Sequence, residues 1–277
     1  MSSPTSPSSP AQSTYGSILI YKDTGTCEAS CTAILEELYK VPHRAIEFAT
    51  SHYLKTASWE SRTSLLVLPG GVCSKWETNL GMEGMRKIQK YVQEHSGRLL
   101  GICAGGYFIS KFSLFETASV KIEKERPFPL FPGKAIGPLK TSSSSSAIAE
   151  VVKLYTPDGD SGGVYYQQGC AFSELSYAVS LASYEAPHTG AAIIAFNEGS
   201  GTVVGCGPHI EFSAPRTRSP FEPSDVSDLF DKLGEGRAFR LNLWDDVLKA
   251  LFPDVDREAP EMPDLDYDFD LNLEDSI

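Results

Sequence analysis

The sequence predicts an α/β domain: a three-layer sandwich with a mostly parallel central sheet between helices, followed by C-terminal helices. Three observations predict it. Apolar strands alternate with segments of helical period through the first 110 residues. These strands are apolar throughout, as strands buried on both faces are. One of them runs into the turn Gly101-Ile102-Cys103-Ala104-Gly105.

The elements follow in order. Residues 1–14 are Ser, Pro and Thr with little to bury, which predicts a disordered leader. "GSILIY" opens the fold as a strand, and "CEASCTAILEELYK" follows with apolar residues at helical spacing. Cys27 and Cys31 fall on one face of that helix and read as packing residues. "RAIEFAT" and "SLLVLPGG" are the second and third strands. "GMEGMRKIQKYVQEHSG" is a helix with Met85, Ile88 and Val92 inward and Gly97 as its stop, and "RLLGIC" is the fourth strand. Beyond residue 112 the pattern turns mainly to short β segments, with "NEGSG" as a hairpin turn and "TSSSSSA" as a surface loop. Residues 15–215 therefore form the main domain. Residues 216–252 add two amphipathic helices, with Leu229, Leu233, Leu243, Trp244, Val247 and Leu251 inward.

Composition narrows the function classes. A chain of 277 residues, 41% hydrophobic, can bury a sizeable core. Of the net charge of −12, residues 253–277 hold the larger part, with ten acidic residues against Arg257 alone. The remaining body has no basic excess to neutralise phosphates, so no nucleic-acid partner is expected. The acidic tail reads as solvated and disordered, with docking on a protein partner as the alternative. No apolar run reaches the eighteen residues of a membrane span, and the N-terminus lacks the pattern of a signal peptide, so a cytoplasmic protein without membrane partners is expected. The six cysteines are widely spaced with no Cys-x-x-Cys pair, which predicts free thiols, no metal site and no cofactor.

The turn at Cys103 matches the nucleophile elbow, Gly-x-Ser/Cys-x-Gly, between a strand and a helix. Its glycines allow strand and helix to approach more closely than β-carbons permit, and the helix opens its positive end toward the sulfur. The oxyanion hole of such an elbow would use the N–H of Ala104 and a second donor from Gly71 in the "LPGG" loop, beside Gly70. A cysteine nucleophile also needs a base. His43, His52 and His95 lie at helix ends or connections and read as surface residues, and His188 sits in a Pro/Gly loop near Glu185. His209 follows the apolar strand "GTVVGCG" and stands two residues before Glu211, so in an extended segment both point to one side and the carboxylate can orient the imidazole.

Cys103, His209 and Glu211 resemble, residue by residue, the triad of the class I glutamine amidotransferase superfamily, with its flavodoxin-like fold. Within it, "VLPGG", "GICAGGYF", "LFPGKAIGPL", "YYQQGCAF" and "GPHIEF" resemble the N-terminal domain of eukaryotic, especially fungal, biotin–protein ligases. The resemblance departs at Tyr107, where glutamine-hydrolysing members usually carry Gln, and no biotin ligase activity is expected.

The resemblance implies an amidohydrolase or amidotransferase-like enzyme acting on a small-molecule amide or acyl substrate. Cys103 would be the nucleophile, His209 the base and Glu211 its orienting acid. Gly70, Gly106, Tyr107, Tyr166 and Gln167 would line the substrate pocket. The alternative is a non-catalytic regulatory or interaction module retaining the fold. A third reading, a peptidase or glyoxalase-like member, would need an early-strand carboxylate, for which Asp23 and Glu28 are the candidates.

Overall fold

The computed structural model describes residues 16–39, 45–139, 149–188, 190–213 and 224–253, together with Val41 and His43. The leader, the serine tract and the acidic tail beyond Pro253 lie outside the described residues.

Strand β1 (Ser17–Tyr21) is buried at every position. Its pleat sends Ile18 and Ile20 to one face of the sheet and Leu19 and Tyr21 to the other, so each face needs an apolar cover. The first face receives α1 (Glu28–Leu38) through Ile34 and Leu38, and α6 (Arg237–Leu251) through Leu243, Val247 and Leu251. The second receives α2 (Ser51–Thr56) through Leu54 and α3 (Cys73–Glu94) through Trp76, Leu80, Ile88 and Tyr91. The same division continues along β3 (Thr63–Leu68), where Leu65 and Val67 face one cluster and Leu66 and Leu68 the other.

The parallel heart of the sheet is β2 (Ile46–Ala49), β1, β3, β4 (Arg98–Ile102) and β13 (Gly201–Cys206), in that spatial order. It is entered at the last strand by a hairpin: β12 (Ala191–Glu198) pairs antiparallel with β13 through the turn at Gly199 and Ser200. Beyond β12 come β10 (Ala171–Ser173), β7 (Phe131–Gly137), β5 (Ser110–Glu116) and β6 (Lys121–Glu125). A branch of β11 (Val179–Tyr184), β8 (Glu150–Tyr155) and β9 (Ser161–Tyr166) returns toward the first face. The parallel strands meet the expectation of a doubly covered sheet, and the later antiparallel strands extend it.

Several boundaries differ from the sequence expectation. The helix expected from Gly81 begins at Cys73, because Trp76 and Leu80 already pack inward, and the chain kinks at Gly81 (φ 58°). Its end turns left-handed at Ser96 (φ 53°) rather than at Gly97. The short helix α4 (Ala104–Ile109) stands where the elbow predicts a helix, whereas helix α2 and the hairpin of β5 and β6, whose periodicity is weak, have no counterpart in the sequence expectation.

The C-terminal helices α5 (Ser224–Glu235) and α6 are part of the core. Leu233, Leu243, Trp244, Val247 and Leu251 are buried, as their spacing predicts, and Leu229 is partly buried. One polar anchor fixes α6: Arg240, only 3% exposed, donates from Nη2 to Glu37 Oε1 of α1 at 2.9 Å and from Nη1 to the Ile210 carbonyl at 2.9 Å. Removing one member of a buried ion pair leaves the other charge desolvated. Arg240→Met is expected to cost about 3–5 kcal/mol in urea unfolding, and the double change Arg240→Met with Glu37→Leu to recover a large part of that loss.

Candidate active site

Cys103 occupies the sharp turn between β4 and α4, with φ 51° and ψ −102°. A non-glycine residue there is strained by about 1–3 kcal/mol, and the surroundings hold it. Its N–H donates to the Cys206 carbonyl on β13 at 2.8 Å, and its carbonyl accepts from Tyr107 N at 3.1 Å. The flanking glycines meet the elbow's steric demand. A β-carbon on Gly101 would lie 2.8 Å from the Gly105 backbone, and one on Gly105 would collide with the Leu68 carbonyl.

The imidazole of His209 stands close enough to the Cys103 sulfur to interact with it, and on the other side its Nδ1 pairs with Glu211 Oε1 at 2.7 Å. His209 is 5% exposed and Glu211 1%. Burial alone would lower the imidazolium's affinity for its proton, but the Glu211 carboxylate and the Cys103 sulfur outweigh it, and His209 is held well above the ordinary histidine range. The ring is set by β9, since His209 N donates to the Tyr165 carbonyl at 2.9 Å, and by the rings of Tyr165 and Phe212 at centroid distances of 5.7 and 5.2 Å.

The route by which Glu211 reaches His209 departs from the extended segment expected. Only His209 pairs with Tyr165; Ile210 and Glu211 enter a turn. Arg240 takes up the Ile210 carbonyl that the turn releases from the sheet. Glu211 Oε1 also accepts from Ser30 Oγ on α1 at 2.7 Å, and Ser30 Oγ accepts from Gly70 N at 3.0 Å. Sequence reasoning missed Ser30 and Arg240, since neither stands in a motif.

The Gly70-Gly71 loop is pinned to residues 25–27: Cys27 N donates to the Gly70 carbonyl at 2.9 Å and Val72 N to the Gly25 carbonyl at 2.7 Å. Thr26 and Gly71 thus form the pair without mutual hydrogen bonds, which turns the Gly71 N–H away from Thr26. Gly71 has φ 143°, and a β-carbon there would strike the Gly25 carbonyl. Gly70 lies against the ring, where an added β-carbon would be 2.6 Å from His209 Cε1. Ala104, as the first residue of α4, carries one of the N–H groups that a helix leaves unbonded.

The remaining expected residues fall into two groups. Gln167 borders the sulfur, its carbonyl 3.7 Å from Cys103 Sγ. Tyr166 is 2% exposed, its hydroxyl accepting from Leu139 N at 2.6 Å and donating to the Gly169 carbonyl at 2.9 Å. Tyr107 sits in the cluster on the opposite face, its hydroxyl directed at the Gln168 and Gly169 carbonyls at 3.2 and 3.0 Å. Gly106 lies against the Cys206 carbonyl and Phe172, where a β-carbon would meet both at 3.0 Å. The structure thus places Gly106, Tyr107 and Tyr166 in packing rather than on open surface. Asp23 is engaged by Ser51 N at 2.8 Å and Thr24 N at 2.7 Å, and Glu28 pairs with Lys22, so both early carboxylates have other partners.

All six cysteines are free. Burial pushes the Cys31 thiol up to about 12 and also raises Cys73, Cys170 and Cys206. Among the described residues, no cluster of three His, Cys, Asp or Glu side chains is arranged to hold a metal, and no helix is long and apolar enough to cross a membrane.

Two outcomes follow from this geometry. Gly105→Ala is expected to cost about 1–3 kcal/mol by overpacking, whereas Gly234→Ala on α5, where the added carbon meets none of the described residues within 4 Å, is expected to be neutral or stabilising. Both are read by urea denaturation. His209 binds its proton more tightly folded than unfolded, so its contribution is complete below about pH 6.5, the unfolded value, and is lost as pH rises through the raised folded value. The stability difference between the native protein and His209→Gln should therefore shrink with rising pH above neutrality.

Comparison with known proteins gives the chain a family. A family model described as the N-terminal region of biotin–protein ligase matches residues 16–267. An uncharacterized protein of Chlamydia muridarum is 37% identical over 165 residues, covering 56% of this chain and 62% of its own. The biotin–protein ligase of Schizosaccharomyces pombe is 29% identical over 253 residues, 84% of this chain and 37% of its own. The chain thus spans less than two thirds of either relative, and the likeness is not confined to fungi. Among solved structures, a putative ThuA-like protein of Bacteroides uniformis superposes with a TM-score of 0.50 at 9% identity, covering 90% of this chain and 96% of that one. A glutamine amidotransferase of Thermotoga maritima gives a TM-score of 0.49 at 16% identity, covering 86% and 95%. With the family model spanning all the described residues, the chain belongs to the family of biotin–protein ligase N-terminal domains, and its fold is α/β, with helices on both faces of a central sheet.

Proposed function

We propose that this chain is a cysteine-dependent acyl-transfer enzyme of the amidohydrolase type. The observation that carries the reading is the continuous chain of contacts from Glu211 through the His209 imidazole to the Cys103 sulfur, at a strained strand-to-helix turn. The thiol proton already rests on His209, as its raised proton affinity favours, and the Cys103 thiolate attacks the carbonyl carbon of a small carboxamide. The N–H groups of Ala104 and Gly71 hold the resulting oxyanion. The imidazolium then protonates the departing amine, leaving a thioester, and water activated by His209 cleaves it. Glu211 keeps Nδ1 protonated, so that Nε2 is the nitrogen that exchanges protons with sulfur. The reading concerns the chemistry of this region alone, the region of the family model that it matches.

A second reading is a regulatory or interaction module that keeps the fold without turnover. It is favoured by the burial of the centre, where Cys103 is 6% exposed, Tyr107 5% and Tyr166 2%. An acceptor of acyl groups needs room above the sulfur that a binding module does not.

Alkylation by iodoacetamide, followed residue by residue with mass spectrometry, separates the two. In the enzyme reading Cys103 reacts faster than Cys31, Cys170 or Cys206, and His209→Ala slows it by about tenfold or more. Equal, slow modification in both proteins favours the module. A fast, histidine-dependent Cys103 leads to a screen of small amides, glutamine first, with Cys103→Ala as the blank.

A further inference from the structure

We propose that Ser30 is a positioning residue that ties the loop carrying the oxyanion donor to the acid that orients His209. The proposal rests on the acyl-transfer reading. Ser30 belongs to the first turn of α1 and is fully buried, with 0% exposure. Serine in a buried helix face is commonly a packing residue that bonds back to its own helix. Here the hydroxyl leaves the helix instead and joins two segments remote in sequence, accepting from Gly70 N at 3.0 Å and donating to Glu211 Oε1 at 2.7 Å.

A hydroxyl has one proton to give, so donation to Glu211 fixes its rotor and leaves a lone pair aimed at Gly70. At Glu211 the consequence is asymmetric. Oε1 receives both the His209 Nδ1–H and the Ser30 O–H, while Oε2 is buried with no partner among the described residues. The carboxylate's rotation about its last bond is therefore set from the Oε1 side, by two donors that converge there. Without the serine hydroxyl His209 alone would hold the group, and the competing Oε2 would be equivalent to Oε1. At the other end, the Gly70 N–H would lose its buried acceptor, beside the His209 Cε1 edge that the same glycine backs. One side chain thus sets both the loop of Gly70 and Gly71 and the tautomer of the base.

The test compares Ser30→Ala and Ser30→Thr with the native protein in two readouts. One is the rate of Cys103 alkylation, and the other is the resonance of the His209 Nδ1 proton by nitrogen-resolved NMR. Ser30→Ala is expected to slow alkylation roughly three- to tenfold and to broaden the Nδ1 proton through faster exchange with water. Ser30→Thr, which keeps the hydroxyl, is expected to retain the resonance and most of the rate. A role in packing alone would lower the melting temperature of Ser30→Ala while leaving both readouts native, and that result overturns the proposal. His209→Gln run in parallel keeps the two ideas apart. If it alkylates at the native rate, the acyl-transfer reading fails, yet the Nδ1 resonance in Ser30→Ala still decides whether Ser30 sets the His209 and Glu211 geometry.

Discussion

Everything at the candidate site depends on the backbone of Cys103 being held in a conformation it would not choose. Its φ of 51° puts the side chain above the end of the sheet, where an ordinary strand residue would point into a face. The strain is sustained by contacts that leave no alternative. Cys206 of the neighbouring parallel strand takes the Cys103 N–H, the Pro69 carbonyl accepts from Gly105 N at 3.3 Å, and the missing β-carbons of Gly101 and Gly105 let helix and strand close upon one another. The elbow is thus a property of three adjacent strands, β3, β4 and β13, and not of the five residues that spell it.

The same adjacency delivers the rest of the site. Strand β13 lies next to β4 in parallel register, with Cys206 beside Ile102, so the residues that follow β13 emerge beside the elbow. Between β13 and His209 lie only Gly207 and Pro208, a distance that brings the imidazole to the sulfur without a loop to order. Strand β3, on the other side of β4, ends in the Pro69-Gly70-Gly71 loop. Ligand sites of open parallel sheets gather at the strands' carboxyl ends for this reason, since neighbouring strand ends converge there while the helices carry the chain away. The C-terminal helices then close the arrangement from behind, with Phe230 and Leu233 of α5 against Tyr165 and Phe212, and Arg240 of α6 on the Ile210 carbonyl.

What the sequence reveals and what it hides divide along physical lines. The parallel strands were legible because burial on both faces demands unbroken apolar runs, as in "SLLVL" and "RLLGI". The inward residues of α5 and α6 were legible because a helix period is visible wherever one face is dry. Helix α2, with six residues, is too short to display a period, and β6, charged and at an edge, has no buried face to mark. Within the site, the elbow and the His209 and Glu211 spacing could be read because local backbone geometry imposes them. Ser30 and Arg240 could not, because their partners are 181 and 30 residues away and only the fold makes them neighbours. Tyr107 was expected to line a pocket, and its buried hydroxyl is directed at the Gln168 and Gly169 carbonyls, the second of which also receives the Tyr166 hydroxyl.

The burial of the centre bears directly on which chemistry it can serve. A histidine that is 5% exposed keeps a proton only because Glu211 and the Cys103 sulfur compensate for the water it has lost. That compensation is specific, since a packing histidine at this depth would be satisfied by neutral hydrogen bonds and would lose its charge. Nor does a purely structural acid need a serine and a histidine donor on one oxygen. Such an arrangement is costly to keep buried and is stabilising only when all its members are in place, so each member constrains the others. Its one chemical consequence is a proton held where the sulfur can give or receive it. The same dry surroundings that make the network expensive strengthen its electrostatics toward any charge that develops at the sulfur, which is the condition under which preorganised donors accelerate acyl transfer.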